Sequence, residues 1–253
     1  MKLLVTGATG QLARALAACA DADVDIVTAG RPVLDLGEED SVRRTIATHR
    51  PDLVVNAAAY TLVDRAESEP GEAFRINAEG AGHVAAACAV ANIPIIHIST
   101  DYVFDGQTAR PYTEDDATDP LNAYGRTKLA GEAAVAAECP RHVILRTGWI
   151  FSADGNNFVR TMLRLGEARD EIAVVDDQRG TPTYAPHLAR GIVTIARKLA
   201  RPDAPVEIWG LYHLSAAGET TWCGLAREVF RVLDRLGGCV VRVRAIATRD
   251  YPT

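Results

Sequence analysis

The sequence contains no CxxC pair, no HExxH motif and no GxSxG motif among its 253 residues. Its five cysteines are an odd number and lie far apart, so neither a disulfide framework nor a zinc site is predicted. Apolar runs long enough for a signal peptide or a membrane-spanning helix are also lacking. We therefore expect a cytoplasmic protein with reduced thiols, no membrane association and no metal-binding residues.

Lysine is scarce: Lys2, Lys128 and Lys198 are the three copies, beside 24 arginines. The 33 acidic residues outnumber the 27 basic ones, giving a net charge of −6. An acidic chain is not typical of nucleic-acid-binding proteins, so no nucleic-acid partner is expected. The arginine bias is typical of a genome-wide preference, and it makes each retained lysine more informative.

Short, wholly apolar segments alternate with helical patterns in the first part of the chain. This alternation predicts βαβ units, and hence an α/β fold with a Rossmann-like, doubly wound parallel sheet. Residues 33–36 predict a short additional strand, and residues 73–91 predict one long helix. We assign residues 1–150 to this first domain and residues 151–253 to a smaller, mixed α/β lobe interwoven with it.

A glycine-rich turn, Gly7-Ala8-Thr9-Gly10, directly follows the first predicted strand and opens a helix. Glycines here let the backbone approach a pyrophosphate, which predicts an NAD(P)-binding domain; a purely structural turn is the alternative. Arg31 follows the second strand, where an acidic residue would bind the ribose 2′-hydroxyl of NAD. An arginine there can bind the 2′-phosphate and therefore favours NADPH, although NADH binding is also possible. The alternative interpretation is that Arg31 is a solvated loop residue with no role in cofactor binding.

Tyr124 and Lys128 are four residues apart in a predicted helix and therefore share one face. An ammonium beside a phenol favours the phenolate, and such a tyrosine can exchange a proton with a carbonyl oxygen near neutral pH. Thr100 or Ser99, at the end of a predicted strand, can donate a hydrogen bond to that oxygen. The structural alternative for Tyr124 and Lys128 is an exposed pair on a helix, and for Ser99 and Thr100 it is a helix cap or turn. His97 is predicted to be a core residue whose ring nitrogens are hydrogen-bonded.

Together with further blocks, these motifs resemble the dTDP-4-dehydrorhamnose reductases, a family of extended short-chain dehydrogenases/reductases. The additional blocks are 56–67, 99–106, 146–149, 156–158, 177–183 and 211–213, and the resemblance covers essentially the whole chain. It implies reduction of the 4-keto group of dTDP-4-dehydrorhamnose (dTDP-4-dehydro-6-deoxy-L-mannose) by NAD(P)H. The product is dTDP-L-rhamnose, a nucleotide sugar of carbohydrate biosynthesis.

The resemblance also implies the site residues. Tyr124 is the proton donor, Lys128 its partner and ribose anchor, and Thr100 the hydroxyl that orients the carbonyl. The cofactor-binding positions are Gly7, Gly10, Gln11, Leu12, Arg31, Asp35, Leu36, Ala57, Ala58, Ala59, Ser99, Tyr124 and Lys128. The positions lining the sugar pocket are Thr61, Val63, Thr100, Asp101, Tyr102 and Trp149. Residues 177–183 resemble a loop that closes the nucleotide-sugar site.

Two family properties are not assigned to residues here. The resemblance implies pairing through magnesium in some members, but the sequence provides no assignable magnesium site. Either a monomer or a homodimer is expected. Members usually continue past a segment like 251–253 into an Arg-Pro, an Asn-Ser-Arg-Leu stretch and a final helix. Either this tail lies outside the given sequence or the chain is short. In the second case, the resemblance implies that part of the sugar-nucleotide site and the last helix of the lobe are missing.

Three other functions share the fold. A sister reductase for another dTDP-4-keto-6-deoxyhexose would have the same cofactor residues and a different pocket. A non-catalytic regulatory subunit, like that of methionine adenosyltransferase, predicts a damaged glycine turn or Tyr-Lys pair, and both are intact. A nucleotide-sugar epimerase or dehydratase is the third; dehydratases commonly carry an Asp-Glu pair beside the catalytic threonine, whereas Tyr102 follows Asp101 here.

Overall fold

The structure, a computed structural model, describes residues 1–201 and 205–251. The strands are β1 Lys2–Thr6, β2 Asp25–Ala29, β3 Leu53–Asn56, β4 Ile95–Thr100, β5 His142–Thr147, β6 Ile150–Phe151, β7 Glu171–Val175, β8 Arg179–Gly180, β9 Thr183–Tyr184, β10 Gly210–His213, β11 Thr220–Thr221 and β12 Arg242–Ile246. The helices are α1 Gln11–Ala17, α2 Glu39–His49, α3 Val63–Ser68, α4 Pro70–Phe74, α5 Gly80–Val90, α6 Ala123–Glu138, α7 Phe158–Gly166, α8 Ala185–Leu199 and α9 Trp222–Arg235. Within these ranges, no helix is both long and apolar enough to cross a membrane.

Six strands form a parallel sheet in the order β2-β1-β3-β4-β5-β10. The inner strands are almost wholly buried because apolar side chains occupy both of their faces, as in Leu53-Val54-Val55. Ala-rich α5 and α6 pack against each other and contact β4. The predicted Rossmann-like parallel sheet with flanking helices is confirmed.

The chain divides into two compact units. The first contains Met1–Thr147 and Pro186–Leu214, and the second contains Gly148–Ala185 and the chain from Ser215 onward. Residues 186–214 thus belong to the first unit, although the sequence analysis placed them in the 151–253 lobe. The reason is a tertiary contact: β10 extends the large sheet by pairing with β5, Leu211 opposite Ile144.

The second unit has a small core of its own. In it, β7 pairs in parallel with β12, and α7 packs beside α9. Its buried residues are Met162, Ile172, Val174, Cys223, Ala226, Phe230 and Val241. Trp149 stacks on Trp222 in this unit, with ring centroids 3.4 Å apart and planes 5° apart.

Two predicted elements differ in the structure. Residues 33–36 form a turn and not a strand, because the Asp35 N–H donates to Ser41 Oγ, at 3.1 Å, instead of to a neighbouring strand. The long helix predicted over 73–91 is divided into α4, a π-helix at Arg75–Glu79 and α5. In the π-helix, the Asn77 side chain accepts from Tyr60 N at 2.8 Å and donates to Tyr60 O at 3.0 Å. The interruption of the helix by a π-helix thus coincides with a tertiary hydrogen-bond pair between Asn77 and the Tyr60 backbone.

Candidate active site

The glycine-rich turn lies at the sheet edge where β1 and β3 end. Gly7 has a φ of +90°, which side chains rarely adopt, and its N–H donates to Ala29 O at 2.7 Å. A Cβ on Gly7 would lie 3.2 Å from Ala58, whereas one on Gly10 would have nothing within 4 Å. The turn therefore packs closely against the segment after β3 at Gly7, whereas the space beside Gly10 is open.

The segment after β3 is fixed to β1 by a hydrogen bond. Ala58 N donates to Thr6 Oγ1 at 3.0 Å, and Ala57, Ala58 and Ala59 are all half-buried. These alanines thus face the same edge as Gly7. Of the other loop positions, Gln11 is half-buried, while Leu12 is only 6% exposed and packs in the core.

The positions after β2 have different surroundings. Arg31 is exposed. Asp35 Oδ1 accepts from Gly37 N at 3.0 Å and lies 3.8 Å from Arg75 Nη1. Leu36 is 4% exposed, so its side chain is part of the core. Arg31 is therefore a solvent-facing cation at the point where the sequence predicted a cofactor phosphate.

Tyr124 is positioned by the start of α6. Asn122 caps this helix by accepting a hydrogen bond from Gly125 N at 2.7 Å. A methyl group at Gly125 would overlap the Tyr102 carbonyl oxygen, so glycine permits the close approach of α6 to the 3₁₀ turn Asp101–Val103. The Tyr102 and Tyr124 rings meet edge to face, with centroids 5.6 Å apart.

The Tyr124 phenol lies beside the end of β4. Burial raises its pKa well above the ordinary range, opposed by a hydrogen bond with the Thr100 side chain. The charges of Asp101 and Tyr102 also raise it. This direction is opposite to the predicted one, because desolvation dominates the shift. Tyr124 therefore keeps its proton at neutral pH.

The Thr100 hydroxyl has hydrogen-bond partners on both following residues. Its Oγ1 lies 3.1 Å from Asp101 Oδ1, to which it donates, and accepts from Tyr102 N at 3.2 Å. Burial raises the pKa of Asp101 to about 6, although the hydrogen bond from Thr100 lowers it. The structure thus brings Thr100, Tyr124 and Asp101 together.

Lys128 lies in the interior, 2% exposed. Its Nζ donates to Ile98 O at 2.7 Å and is 3.3 Å from His97 Nε2. Burial lowers the pKa of Lys128 to about 8, and the Glu132 charge opposes this shift. The structural alternative of an exposed surface lysine is therefore wrong.

The second hydroxyl candidate, Ser99, has a different partner. It is 4% exposed and donates to Glu132 Oε1 at 2.5 Å. Glu132 in turn accepts from Arg146 Nε at 2.9 Å and Nη2 at 2.7 Å. Ser99 therefore belongs to a buried polar cluster, and Thr100 is the hydroxyl nearer to Tyr124.

The remaining predicted positions fall in both units. Thr61 is exposed, and Val63 and Tyr102 are half-buried in the first unit. Trp149 belongs to the second unit, where it packs against Gly180 of the 177–183 block. In the same unit, the Asp177 carboxylate accepts from the Thr248 N–H and hydroxyl. Across the described ranges, no group of three or more His, Cys, Asp or Glu side chains is arranged to hold a metal ion.

Sequence reasoning missed the buried polar residues beneath this site. Thr6, Asn56 and His97 are each 1% exposed and hydrogen-bonded to one another. His97 is a satisfied core residue, as predicted, but one of its partners is Lys128. The available signal was a polar residue, Thr6 or Asn56, directly after the apolar runs 3–5 and 53–55.

Comparison with known proteins places the chain in a family. A profile described as "RmlD substrate binding domain" matches residues 1–253. A dTDP-4-dehydrorhamnose reductase from Sinorhizobium fredii is 47% identical over 253 residues, which are 100% of this chain and 85% of that protein. The chain belongs to the dTDP-4-dehydrorhamnose reductase family.

Two further relatives extend this family assignment. The crystal structure of a dTDP-4-dehydrorhamnose reductase from Bacillus anthracis in complex with NADP has a TM-score of 0.91 and 36% identity. The superposition covers 98% of this chain and 85% of the B. anthracis chain. A dTDP-4-keto-6-deoxy-D-glucose reductase from Streptomyces niveus is 44% identical over 96% of this chain and 81% of its own length. The names of these relatives therefore give two different sugar substrates.

Proposed function

We propose that this dTDP-4-dehydrorhamnose reductase family member reduces the 4-keto group of dTDP-4-dehydrorhamnose with NADPH and yields dTDP-L-rhamnose. The observation that carries the proposal is that α6 places the Tyr124 ring 5.6 Å from the Tyr102 ring, in the turn whose Tyr102 N–H donates to Thr100 Oγ1 at the end of β4. Lys128 follows Tyr124 by one helical turn. The name of the S. fredii relative supports the substrate, and the NADP complex of the B. anthracis relative supports the cofactor.

The proposed roles follow from the state of each side chain. Tyr124 keeps its phenol proton because burial raises its pKa, and a protonated phenol is what a general acid needs. It donates this proton to the carbonyl oxygen as the 4-keto group becomes a hydroxyl. The Thr100 hydroxyl orients the same oxygen, and Lys128 anchors the nicotinamide ribose and acts on Tyr124.

The residues at the sheet edge fit a dinucleotide. Gly7 takes a left-handed conformation, and the space in front of Gly10 is open, so the backbone can approach a pyrophosphate. We assign Gly7, Gly10 and Gln11 to the pyrophosphate, Ala57–Ala59 to the surface beneath the cofactor, and exposed Arg31 to the 2′-phosphate. Bound NADPH supplies the hydride for the carbonyl carbon.

The remaining assignments complete the proposal. We assign Thr61, Val63, Asp101 and Tyr102, all of the first unit, to binding of the sugar. The first unit is the NAD(P)-binding domain and the second the substrate-binding lobe. We further propose a cytoplasmic monomer or homodimer; the five free thiols support a reducing compartment.

The experiment is a direct assay with defined substrate. Purified protein is mixed with NADPH and dTDP-4-dehydrorhamnose, and the nicotinamide absorbance and the sugar product are followed together. We expect NADPH oxidation matched by dTDP-L-rhamnose formation, with no oxidation when the substrate is omitted. Absence of turnover by folded protein with both NADPH and NADH would contradict the proposal and favour a regulatory subunit.

A second candidate function is reduction of another dTDP-4-keto-6-deoxyhexose. The 44% identity to the S. niveus reductase supports it, since that protein's name gives dTDP-4-keto-6-deoxy-D-glucose. The two candidates share Tyr124 and Lys128 and differ in the configuration of the accepted sugar. Parallel kcat/KM measurements on both substrates decide between them, and a higher value for the D-gluco isomer would favour the second.

A further inference from the structure

Charged side chains gather around Arg31 and the turn that follows β2. Gly30 packs against the glycine-rich turn, since a Cβ on Gly30 would be 2.9 Å from Ala8 N. Arg31 is the next residue, so it lies beside the residues assigned to the dinucleotide. In Rossmann-like folds this position distinguishes the ribose 2′-hydroxyl of NADH from the 2′-phosphate of NADPH. Together with Arg31, four more side chains form what we call the charged cluster: Asp35, Glu38, Glu72 and Arg75.

Arg75 is the centre of the charged cluster. Its Nε and Nη2 donate to the two carboxylate oxygens of Glu72, at 2.8 and 2.9 Å. Its Nη1 lies 3.8 Å from Asp35 Oδ1 and 3.9 Å from Glu38 Oε1. A Cβ on Gly37 would overlap this Nη1, so glycine lets the guanidinium lie directly against the turn. One cation thus faces three carboxylates.

Glu72 is a carboxylate that interacts with both arginines of the charged cluster. Its pKa lies below the ordinary value, first because of the hydrogen bonds from Arg75; the charges of Arg75 and Arg31 lower it further, whereas burial raises it. Asp35 instead accepts a hydrogen bond at 3.0 Å from the main chain of its own turn, and Glu38 is mostly exposed. Glu72 is therefore ionised at neutral pH, and its charge acts on Arg31.

The net charge of the cluster opposes the binding of a phosphate. Two arginines and three carboxylates give a net charge of −1. A phosphate monoester carries a charge of about −1.5 to −2 at neutral pH, whereas the hydroxyl in its place in NADH is uncharged. The side chains of Arg75 and Glu72 are 32% and 39% exposed, so they are open to a ligand at the surface. Their charges therefore act on the 2′ position, where the two cofactors differ.

We propose that Glu72 is a specificity-determining residue, whose carboxylate engages Arg75, acts on Arg31 and thereby narrows the preference for NADPH over NADH. Neither arginine is fully available to a 2′-phosphate while Glu72 is charged. Specificity is a difference between two affinities, so a repulsive charge against one cofactor changes it without any contact to the other. The inference rests on the NADPH site of the proposed function, but not on the identity of the sugar that is reduced.

Glu72→Gln tests the role of the charge, because its amide oxygen can still accept a hydrogen bond from Arg75. The Kd values for NADPH and NADH are measured by calorimetry without sugar substrate. We expect the ratio of NADPH to NADH affinity to rise about threefold to tenfold, through tighter NADPH binding and an unchanged Kd for NADH. The gain should shrink between about 0.1 M and about 1 M salt, because the Debye length falls from about 10 Å to about 3 Å.

Three further variants separate charge from structure. Glu72→Asp keeps the charge and should keep the wild-type ratio. Arg75→Gln removes a cation and should lower the ratio, in the direction opposite to Glu72→Gln. The matched control is Glu228→Gln on α9, where Arg231, three residues later, donates to Glu228 from Nε at 2.6 Å and from Nη2. Because Glu228 lies outside the charged cluster, this variant should leave both Kd values unchanged.

The possible outcomes distinguish this inference from the proposed function. An unchanged ratio in folded Glu72→Gln, or equal tightening of both cofactors, would overturn the role of Glu72. If Glu72→Gln does not fold, Arg75→Gln decides, and a ratio that does not fall would overturn the inference. Wild-type protein that binds both cofactors but reduces no dTDP-4-keto sugar would overturn the proposed reaction and leave these ratios unaffected. Wild-type protein that binds neither cofactor would overturn both.

Discussion

Glu132 of α6 and Arg146 of β5 form a two-bonded ion pair, with N–O distances of 2.9 and 2.7 Å, in which the side chains are 6% and 7% exposed. Ser99, one residue before Thr100, donates to the same carboxylate. The ion pair joins α6, which carries Tyr124 and Lys128, to β5, and the Ser99 hydrogen bond joins the same carboxylate to the end of β4. Together they fix the helix against the strand on which the proposed site depends.

Glu132→Gln should destabilise the protein strongly, because it leaves the Arg146 guanidinium buried without a counter-charge. Breaking a buried pair by removing one partner costs about 3–5 kcal/mol. The matched control is Glu219→Gln, since the Arg179–Glu219 pair is 71% and 58% exposed and should contribute less than about 1 kcal/mol. Chemical denaturation of both variants measures the difference, and equal effects would contradict the assignment.

Lys128→Arg should lower turnover by on the order of 10²-fold, although the protein uses arginine at most other basic positions. The larger planar guanidinium does not fit the buried position between Ile98 O and His97 Nε2. The control is Lys198→Arg, because Lys198 is exposed. Steady-state kinetics on samples with matched melting temperatures decide the matter; wild-type kcat in Lys128→Arg would rule out a special role for the amine.

Much of the first unit could be predicted from local pattern. The apolar runs of β1, β3 and β4 are buried on both faces, so composition alone identifies them as inner parallel strands. The four-residue spacing of Tyr124 and Lys128 placed both on α6. Thr100 could be placed at the site because parallel strands end at a common edge.

What could not be predicted depends on partners distant in sequence. The pairing of β10 with β5 and the π-helix at Arg75–Glu79 are tertiary effects. The raised pKa of Tyr124 is another, since helical spacing indicates a neighbouring lysine but not the desolvation that dominates. Likewise, nothing local distinguishes Leu12 and Leu36 as core residues from residues that contact a cofactor.

Gly125→Ala should impair activity through the position of Tyr124. The added methyl would overlap the Tyr102 carbonyl and lie 2.9 Å from Pro120 Cβ, so α6 must move away from the turn. We expect a loss of about 1–3 kcal/mol in unfolding free energy together with reduced kcat. Gly82→Ala is the control, since its nearest contact would be an ordinary 3.4 Å. Wild-type behaviour of Gly125→Ala would mean that the close approach is not required.

Arg31→Glu should weaken NADPH binding about tenfold or more and affect NADH much less. The change removes a charged hydrogen-bond donor and places a like charge near the proposed 2′-phosphate. Fluorescence titration with both cofactors measures the two Kd values separately. Arg31→Gln provides the intermediate case without the added charge. Equal weakening of both cofactors would contradict a 2′-phosphate contact.

The Asp101 carboxyl should make stability fall with rising pH in a defined window. Burial raises its folded-state pKa to about 6 from the ordinary 3.8, so the native state binds more protons between these values. Its stabilising contribution is complete below pH about 4 and is lost as the pH rises through about 6. Asp101→Asn should therefore gain more stability relative to wild type at pH 8 than at pH 4.5. A difference that is constant in urea denaturation at both pH values would contradict the shifted pKa.

The central claim is that Tyr124 is the proton donor in reduction of a 4-keto sugar nucleotide. The most direct measurement is the kcat of Tyr124→Phe with NADPH and dTDP-4-dehydrorhamnose, with NADPH binding measured in parallel. Tyr212→Phe is the control, because its hydroxyl donates to Ile208 O at 3.0 Å, away from the end of β4. The account predicts that Tyr124→Phe loses about 10²–10⁴-fold in kcat while it retains NADPH binding, and that Tyr212→Phe turns over like wild type. A Tyr124→Phe kcat within a few-fold of wild type would contradict it.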